Sequence, residues 1–343
     1  MKLNLVKMLT IGLLPSFLKV AYYRARGYRI EQGVSIGLFS IIDAGEVSIG
    51  RDTKVSMFCS ISGKTLRMGK RVSIGMFFIA DCREVYIGHD TSVAEFVLVG
   101  AMPTPRSKLI IGQRVNILPF CIFNPSRTIF IGNNTGIGSH VSILTHASSL
   151  SVFEGFPVMF GKVVIENNAW VSWNVTITLN AFIGRNSMVN AGAVVSSSIP
   201  RGAIAAGVPA REIVTDGAYI RKSALKNAPK IMRNIIEDMA DFLQDQGKHA
   251  EKLLSKDTMG INFECHGKIR KLSVQHPGSV SADNVDIVVS LEALSEKDIS
   301  QLQEASVCWF DVRTKRTGGT RHDCWKWTRD FLFRYGVRFR VIE

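Results

Sequence analysis

The sequence predicts a mainly β protein: a parallel β-helix, preceded by a helical segment and followed by a small α/β domain. Three observations carry that expectation. Of 29 glycines, 21 fall before residue 215. The dipeptide Ile-Gly occurs nine times, always before residue 185. Aliphatic residues also recur every six positions, as at Ile131, Ile137 and Ile143, and again at Ile165, Val171, Ile177, Ile183 and Val189. A period of six matches neither the i, i+3, i+4, i+7 spacing of a helix nor the alternation of a single strand. Hexads of this kind mark a β-helix in which each supplies a short strand and a corner. The aliphatic residue faces a narrow core, and stability accumulates as coil stacks on coil. Gly and Asn suit the corners, where positive φ is needed. A β-sandwich would place its turn signals every 8–12 residues instead.

The elements follow in order. Residues 1–32 form a basic amphipathic segment, with Leu3, Val6, Leu13, Leu14, Phe17 and Leu18 interleaved among lysines. Two compatible roles fit it: a helix capping the open end of the β-helix, or an interfacial helix on an anionic membrane. The hexads run over residues 33–214. Their register breaks at residues 101–108 with Pro103 and Pro105, at residues 124–126 with Pro125, and over residues 147–161 (ASSLSVFEGFPVMFG) after His146. Loops that interrupt a regular scaffold are where sites tend to be built. Residues 215–343 form the third region. There the spacing of Ile231, Ile235, Met239 and Leu243 predicts a helix over 226–247. Strands are expected over 261–264, 285–290 and 307–312, and helices over 296–304 and 325–335.

Composition narrows the function classes. The chain has 343 residues, 46% hydrophobic and 21% charged, which describes a globular protein of about two domains. No apolar run approaches the ~20 residues of a membrane span, and no secretory leader is expected, since no small-residue cleavage site follows the apolar part of the N-terminus. Six cysteines are too sparse for a disulfide scaffold, which suggests a reducing, cytoplasmic setting. The net charge of +13 is uneven, with +10 in residues 1–214 and +3 in the rest. The first 30 residues hold Lys2, Lys7, Lys19, Arg24, Arg26 and Arg29 and no acid. Composition alone leaves nucleic acid, an anionic membrane and a polyanionic cofactor open as partners.

Three stretches carry a resemblance: residues 131–146 (IGNNTGIGSHVSILTH) before the long loop, residues 165–173 (IENNAWVSW), and residues 191–212 (AGAVVSSSIPRGAIAAGVPARE). With these, residues 33–214 resemble the left-handed β-helix hexapeptide-repeat acyltransferases, in the branch of the galactoside, maltose and serine O-acetyltransferases and the polysaccharide O-acetyltransferases. The resemblance covers a little over half the chain. It implies homotrimers with active sites between neighbouring β-helices, and direct acetyl transfer from acetyl-CoA to a hydroxyl. It also implies a general-base His at the end of the coil before the loop, which is His146 here.

The chemistry asks for such a residue. A sugar hydroxyl is a poor nucleophile that must lose its proton as it attacks a thioester, and imidazole is the usual base near neutral pH. The oxyanion then needs N–H or amide donors. Asn124 resembles an assisting Asn. His140 stands at the same hexad position as His146 but one face away, as a substrate-binding or interface residue. Glu154 is the loop acid, read either as orienting His146 and lining the substrate site or as a plain exposed loop residue. For acetyl-CoA, the resemblance implies contacts from Trp173, Ala191, Ser196, Ser197 and Arg211. Two departures stand out: Ser196-Ser197 replaces a frequent Thr-Lys, and Trp173 replaces a small residue.

The expected function is therefore O-acetylation of a sugar in a surface polysaccharide or its lipid-linked precursor. The expected partners are a carbohydrate acceptor, further copies in a homotrimer, and the inner face of an anionic membrane through residues 1–30. With the basic half accounted for by cofactor and membrane, no nucleic acid is expected. N-acylation of an amino sugar and a non-catalytic trimeric scaffold are the alternatives. No metal is expected. A carbonic-anhydrase-like site would need His89, His140 and His146 to converge, and His89 lies over 50 residues, nearly three coils, before the other two. In the third region Cys265, His266, Cys308, His322 and Cys324 lack zinc-site spacing. The basic aromatic tail (Trp325, Lys326, Trp327, Arg329, Arg334, Tyr335) would stack on sugars or simply cover a helix-and-strand core.

Overall fold

A computed structural model of the chain describes residues 5–101, 104–147, 151–214, 227–255, 258–320 and 322–342. Lys2, Leu3 and Pro103 lie outside the described residues. The chain divides into two compact units, Met1–Ala218 and Tyr219–Glu343.

The first unit is the β-helix that the hexads predict. Three columns of aliphatic side chains run in parallel register up its interior. One passes through Ile36, Val55, Ile74, Val93, Ile117, Ile137, Val171 and Val189. A second passes through Ile61, Ala80, Val99, Phe123, Ile143, Ile177 and Val195. The third passes through Ile49, Met68, Ile87, Ile111, Ile131, Ile165 and Ile183. All are buried. The pairing register shows how the coils differ in length. Ser60 pairs with Ile79 and Ile79 with Leu98, so these early coils are equal. The steps from Leu98 to Ile122 and from Ile122 to Ser142 are longer, and that from Ser142 to Thr176 is the longest. From Thr176 to Val194 the coil is short again. The three lengthened coils contain the three breaks seen in the sequence.

The corners use more than Gly and Asn. One carries Phe39, Phe58, Phe77, Phe96 and Phe120, all with φ between 56° and 62°. Their rings stack 4.9–5.1 Å apart with planes within 8° of parallel. Left-handed backbone costs an L-residue roughly 1–2 kcal/mol, and an offset aromatic stack returns about 0.5–1.5 kcal/mol. The two nearly cancel, so the ladder holds a conformation each Phe would avoid alone. A second corner is polar: Asp52, Arg71, Asp90, Arg114, Asn134, Asn168 and Asn186 share φ near 54–60°. Arg71 Nε pairs with Asp90 at 2.6 Å, and Arg114 Nε donates to Asn134 Oδ1 at 2.7 Å. Asn134, Asn168 and Asn186 then chain their amides at 3.1 and 3.2 Å.

The N-terminal segment caps the first coil. Helices Leu5–Leu9 and Ser16–Ala25 flank a single 3-10 turn, Ile11–Leu13. The cap satisfies backbone groups that an open coil would leave unpaired. Phe39 N–H donates to Gly12 O at 2.6 Å, Ile36 N–H to Ser16 Oγ at 2.9 Å, and Ile42 N–H to Tyr23 Oη at 2.8 Å. Lys19 is fully buried, its Nζ donating to Gly12 O at 3.1 Å and Gly37 O at 2.6 Å. Among the described residues no helix is long and apolar enough to cross a membrane.

The second unit is α/β. Its mixed sheet runs, in spatial order among the described residues, Ala250–Leu254, Met259–Cys265, Lys268–Val274, Ile287–Ser290, Cys308–Asp311, Arg316–Gly318 and Arg340–Val341. Helices Ala228–Asp245, Glu296–Glu304 and Trp325–Phe333 accompany it. The first helix buries Ile235, Met239 and Leu243 at helical spacing. Four of the strands escape the sequence reading because they are short or carry charged residues, as in AEKLL and KIRKLSV. The zinc-like residues part company. Cys308 is a buried free thiol, and Cys265 and Cys324 join in a disulfide with Cα atoms 6.3 Å apart. His322, Asp323 and Cys324 place ligand atoms within 4.8 Å of one another, but the Cys324 sulfur is committed to Cys265.

Burial lowers the Lys19 pKa from 10.5 to about 8. Between those values the unfolded chain holds a proton that the folded chain lacks, so stability rises with pH across that window. Lys19→Met should flatten the rise. Urea midpoints of both proteins at pH 7.5, 9 and 10.5 test this, and equal pH slopes would contradict it.

Candidate active site

The site lies where the longest coil leaves the prism. Strand Ser142–Leu144 continues through Thr145 into the short strand His146–Ala147. The loop returns as Met159–Phe160, which pairs antiparallel with it, so that His146 faces Phe160 across the ladder. Gly161 N–H donates to Thr145 O at 3.0 Å and closes the hairpin. The loop leaves after Thr145, at the end of one face, and rejoins the prism at Val163, where the next face begins.

His146 is half-buried, and its ring lies over Phe160 with centroids 6.0 Å apart. Its Nδ1 is enclosed and has no hydrogen-bond partner among the described residues, which leaves Nε2 as the nitrogen open to a reactant. Asn124 stands on the coil below, paired in register with Leu144. Its side-chain Oδ1 accepts from Ser126 Oγ at 2.7 Å, and its backbone oxygen accepts from Thr145 Oγ1 at 2.6 Å. Thr145 is fully buried, and its hydroxyl also accepts from Arg127 N–H at 2.9 Å. One hydroxyl thus ties the Pro125 break to the residue before His146. Arg127 completes the group, its guanidinium carbon 4.1 Å from the Phe160 ring centroid.

The other expected residues divide between two places. His140 sits on the aromatic corner with φ 60°, stacked on Phe120 at 5.1 Å as the last rung of the ladder. Asn174 N–H donates to Ser139 O and Gly192 N–H to Trp173 O, both at 3.0 Å. His140, Trp173 and Ala191 therefore occupy successive coils of one corner, apart from His146. All three are exposed, Trp173 to 52%. Trp170 meets Trp173 edge-on at 6.4 Å. Ser196 and Ser197 follow Val195, which is in register with Ile177 and through it with Ile143. They lie two coils beyond Leu144 and Thr145 on the same face, and both are exposed. The chain end folds back beside them, with Ala210 N–H donating to Val194 O at 2.8 Å. The exposed Arg211 bonds only the neighbouring Ala210 O, at 3.1 Å, among the described residues. Glu154 is exposed in the turn Val152–Glu154 and makes no hydrogen bond with His146 among the described residues. His89 lies at the polar corner, its Nδ1 accepting from Lys70 N–H at 2.7 Å.

Sequence reading missed Thr145, Arg127 and Phe160. A Thr before the His carries no signal by itself, and Arg127 meets Phe160 only through the fold.

No family model and no curated protein sequence matches the chain. Among solved structures, a hexapeptide-repeat-containing acetyltransferase from Vibrio cholerae is 25% identical, with 38% of this chain and 73% of that one covered, at a TM-score of 0.33. A polysialic-acid-specific acetyltransferase is 19% identical over 55% of this chain and 86% of that one, with a TM-score of 0.35. An Arabidopsis UDP-N-acetylglucosamine acyltransferase is 17% identical over 61% and 78%, with a TM-score of 0.41.

Thr145→Val should strand the Arg127 N–H in a buried setting, at a cost of about 1–3 kcal/mol. Thr145→Ser should restore most of it. Denaturant melts of the three proteins decide; a Val variant as stable as the parent would refute the tie. By its coil registers and its hexad pattern, the first unit is a hexapeptide-repeat β-helix.

Proposed function

We propose that the protein is an acetyl-CoA-dependent O-acetyltransferase whose general base is His146. The observation that carries this reading is the placement of one half-buried imidazole at the root of the returning loop, with Nδ1 enclosed and Nε2 open. For Nε2 to accept a proton, the ring proton must sit on Nδ1. The acceptor hydroxyl passes its proton to Nε2 as its oxygen attacks the thioester carbonyl. The tetrahedral oxyanion collapses, the C–S bond breaks, and the coenzyme thiolate takes the proton back from the imidazolium. Backbone N–H or side-chain amide donors would stabilise the oxyanion, and Asn124 is the amide closest in register. The exposed run of Trp173, Ala191, Ser196, Ser197 and Arg211 gives the coenzyme a surface on the coils beyond the loop, with Arg211 as a cation for phosphate. The acceptor in this reading is a sugar of a surface polysaccharide or its lipid-linked precursor. The enzyme would be a homotrimer, with His140 and Glu154 lining the site from the subunit boundary.

The N-terminal cap supports a location. Its inner side buries Val20 and Tyr23, while Val6, Leu9, Leu13, Phe17 and Leu18 are exposed, Val6 and Phe17 to 72%. Large apolar side chains beside the exposed Arg24, Arg26 and Arg29 suit an anionic lipid surface, at the inner face of a cell membrane.

Two measurements test these readings. His146→Ala should lower acetyl transfer by a factor of about 10²–10⁴ while equilibrium binding of coenzyme A is unchanged; a variant of parental activity would sink the base assignment. In flotation assays the protein should rise with vesicles containing phosphatidylglycerol and stay down with pure phosphatidylcholine, and Phe17→Asp should abolish flotation. Equal flotation of parent and variant would exclude the cap as the contact.

A further inference from the structure

We infer that Arg127 is an acceptor-binding residue that selects a sugar bearing a carboxylate. This deepens the acetyltransferase reading and rests on it for the identity of the reaction. The guanidinium carbon lies 4.1 Å from the Phe160 ring centroid, and the same ring lies 6.0 Å from the His146 ring centroid. One aromatic ring therefore neighbours both the cation and the imidazole. Both ends of the residue are fixed. Its N–H is held by the buried Thr145 hydroxyl at 2.9 Å, and its Nη1 donates to Ser126 O at 2.9 Å.

What is missing from this arrangement is an anion. No carboxylate lies within ion-pair distance of Arg127 among the described residues, whereas Arg71, Arg201, Arg270 and Arg316 each have one. The bond to Ser126 and the aromatic face use only part of a fork of five N–H donors. The remainder matches a planar carboxylate in bidentate fashion, which a lysine would not. A cation stacked on an aromatic ring is already oriented, so little freedom is lost on binding. The position relative to His146 assigns the anion to the substrate that enters at the base. The cofactor surface proposed above lies on later coils with its own cation, Arg211.

An oxyanion could also come from a phosphate of the coenzyme, and the experiment separates the two. Transfer from acetyl-CoA is measured to a glucuronyl disaccharide and a sialyl disaccharide, each beside its methyl ester. Equilibrium binding of the same four sugars, and of coenzyme A, is measured in parallel. The parent should favour each acid over its ester by about 10–100-fold in kcat/KM, the scale of a charge-assisted hydrogen bond, mainly through KM. Arg127→Gln should bring that ratio close to one, and Arg127→Lys should keep an intermediate ratio; thermal midpoints near the parent's show that both variants fold. Coenzyme A affinity should stay within a factor of two. A ratio unchanged in Arg127→Gln overturns the proposal, and so does a tenfold loss of coenzyme A binding, which would give Arg127 to the donor. If the parent transfers acetyl to none of the sugars, the acetyltransferase reading has failed. The binding arm then judges Arg127 alone, and equal affinity for acid and ester would overturn its role.

Discussion

The three aliphatic columns inside the prism are the constraint on which everything else in the first unit depends. Each coil contributes one side chain to each column, in parallel register with the coils on either side. Burying a Val or Ile side chain is worth about 1.5–3 kcal/mol, and each coil adds one buried side chain to every column. That driving force also fixes geometry, because a slip of one residue would turn the aliphatic set outward. The interior therefore tolerates no change of count. Extra residues can leave only at a corner or a face end, and the three long coils show where they do.

The site is a consequence of that rule. Two of the insertions, the Pro125 break and the returning loop, fall on neighbouring coils of one face. Stacking sets them side by side, and the buried Thr145 hydroxyl joins them. His146, Asn124 and Arg127 are thus brought together by coil register, not by nearness along the chain. The same rule explains the ladders at the corners. Once the columns are fixed, residues at equivalent corners must stack whatever their type. Five phenylalanines and a run of charged and amide side chains each make that enforced contact favourable. His140 inherits its place from the first ladder.

The second unit obeys different physics. Its sheet is mixed, and its central strand, Ile287–Ser290, is buried along its whole length. Helix Glu296–Glu304 begins with a capping box from Ser295 and Asp298, a local signal readable in the sequence. The charged strands Ala250–Leu254 and Lys268–Val274 are held by antiparallel pairing with Met259–Cys265, which lies between them in the sequence. The Cys265–Cys324 bond is a non-local contact, joining positions 59 residues apart.

Several features were set by the sequence alone: the hexad period, the three breaks, the helical start, the change of character after residue 214, and His146 beside the longest break. Each is a local pattern, because inward side chains and corner residues recur at short, regular spacing along one chain. Other features were decided only by the tertiary structure. These are the equal length of the early coils, the aromatic ladder with His140 as its last rung, and the seating of Arg127 against Phe160. Each depends on which coil lies above which, and that is set by the packing of the columns rather than by any residue's immediate neighbours.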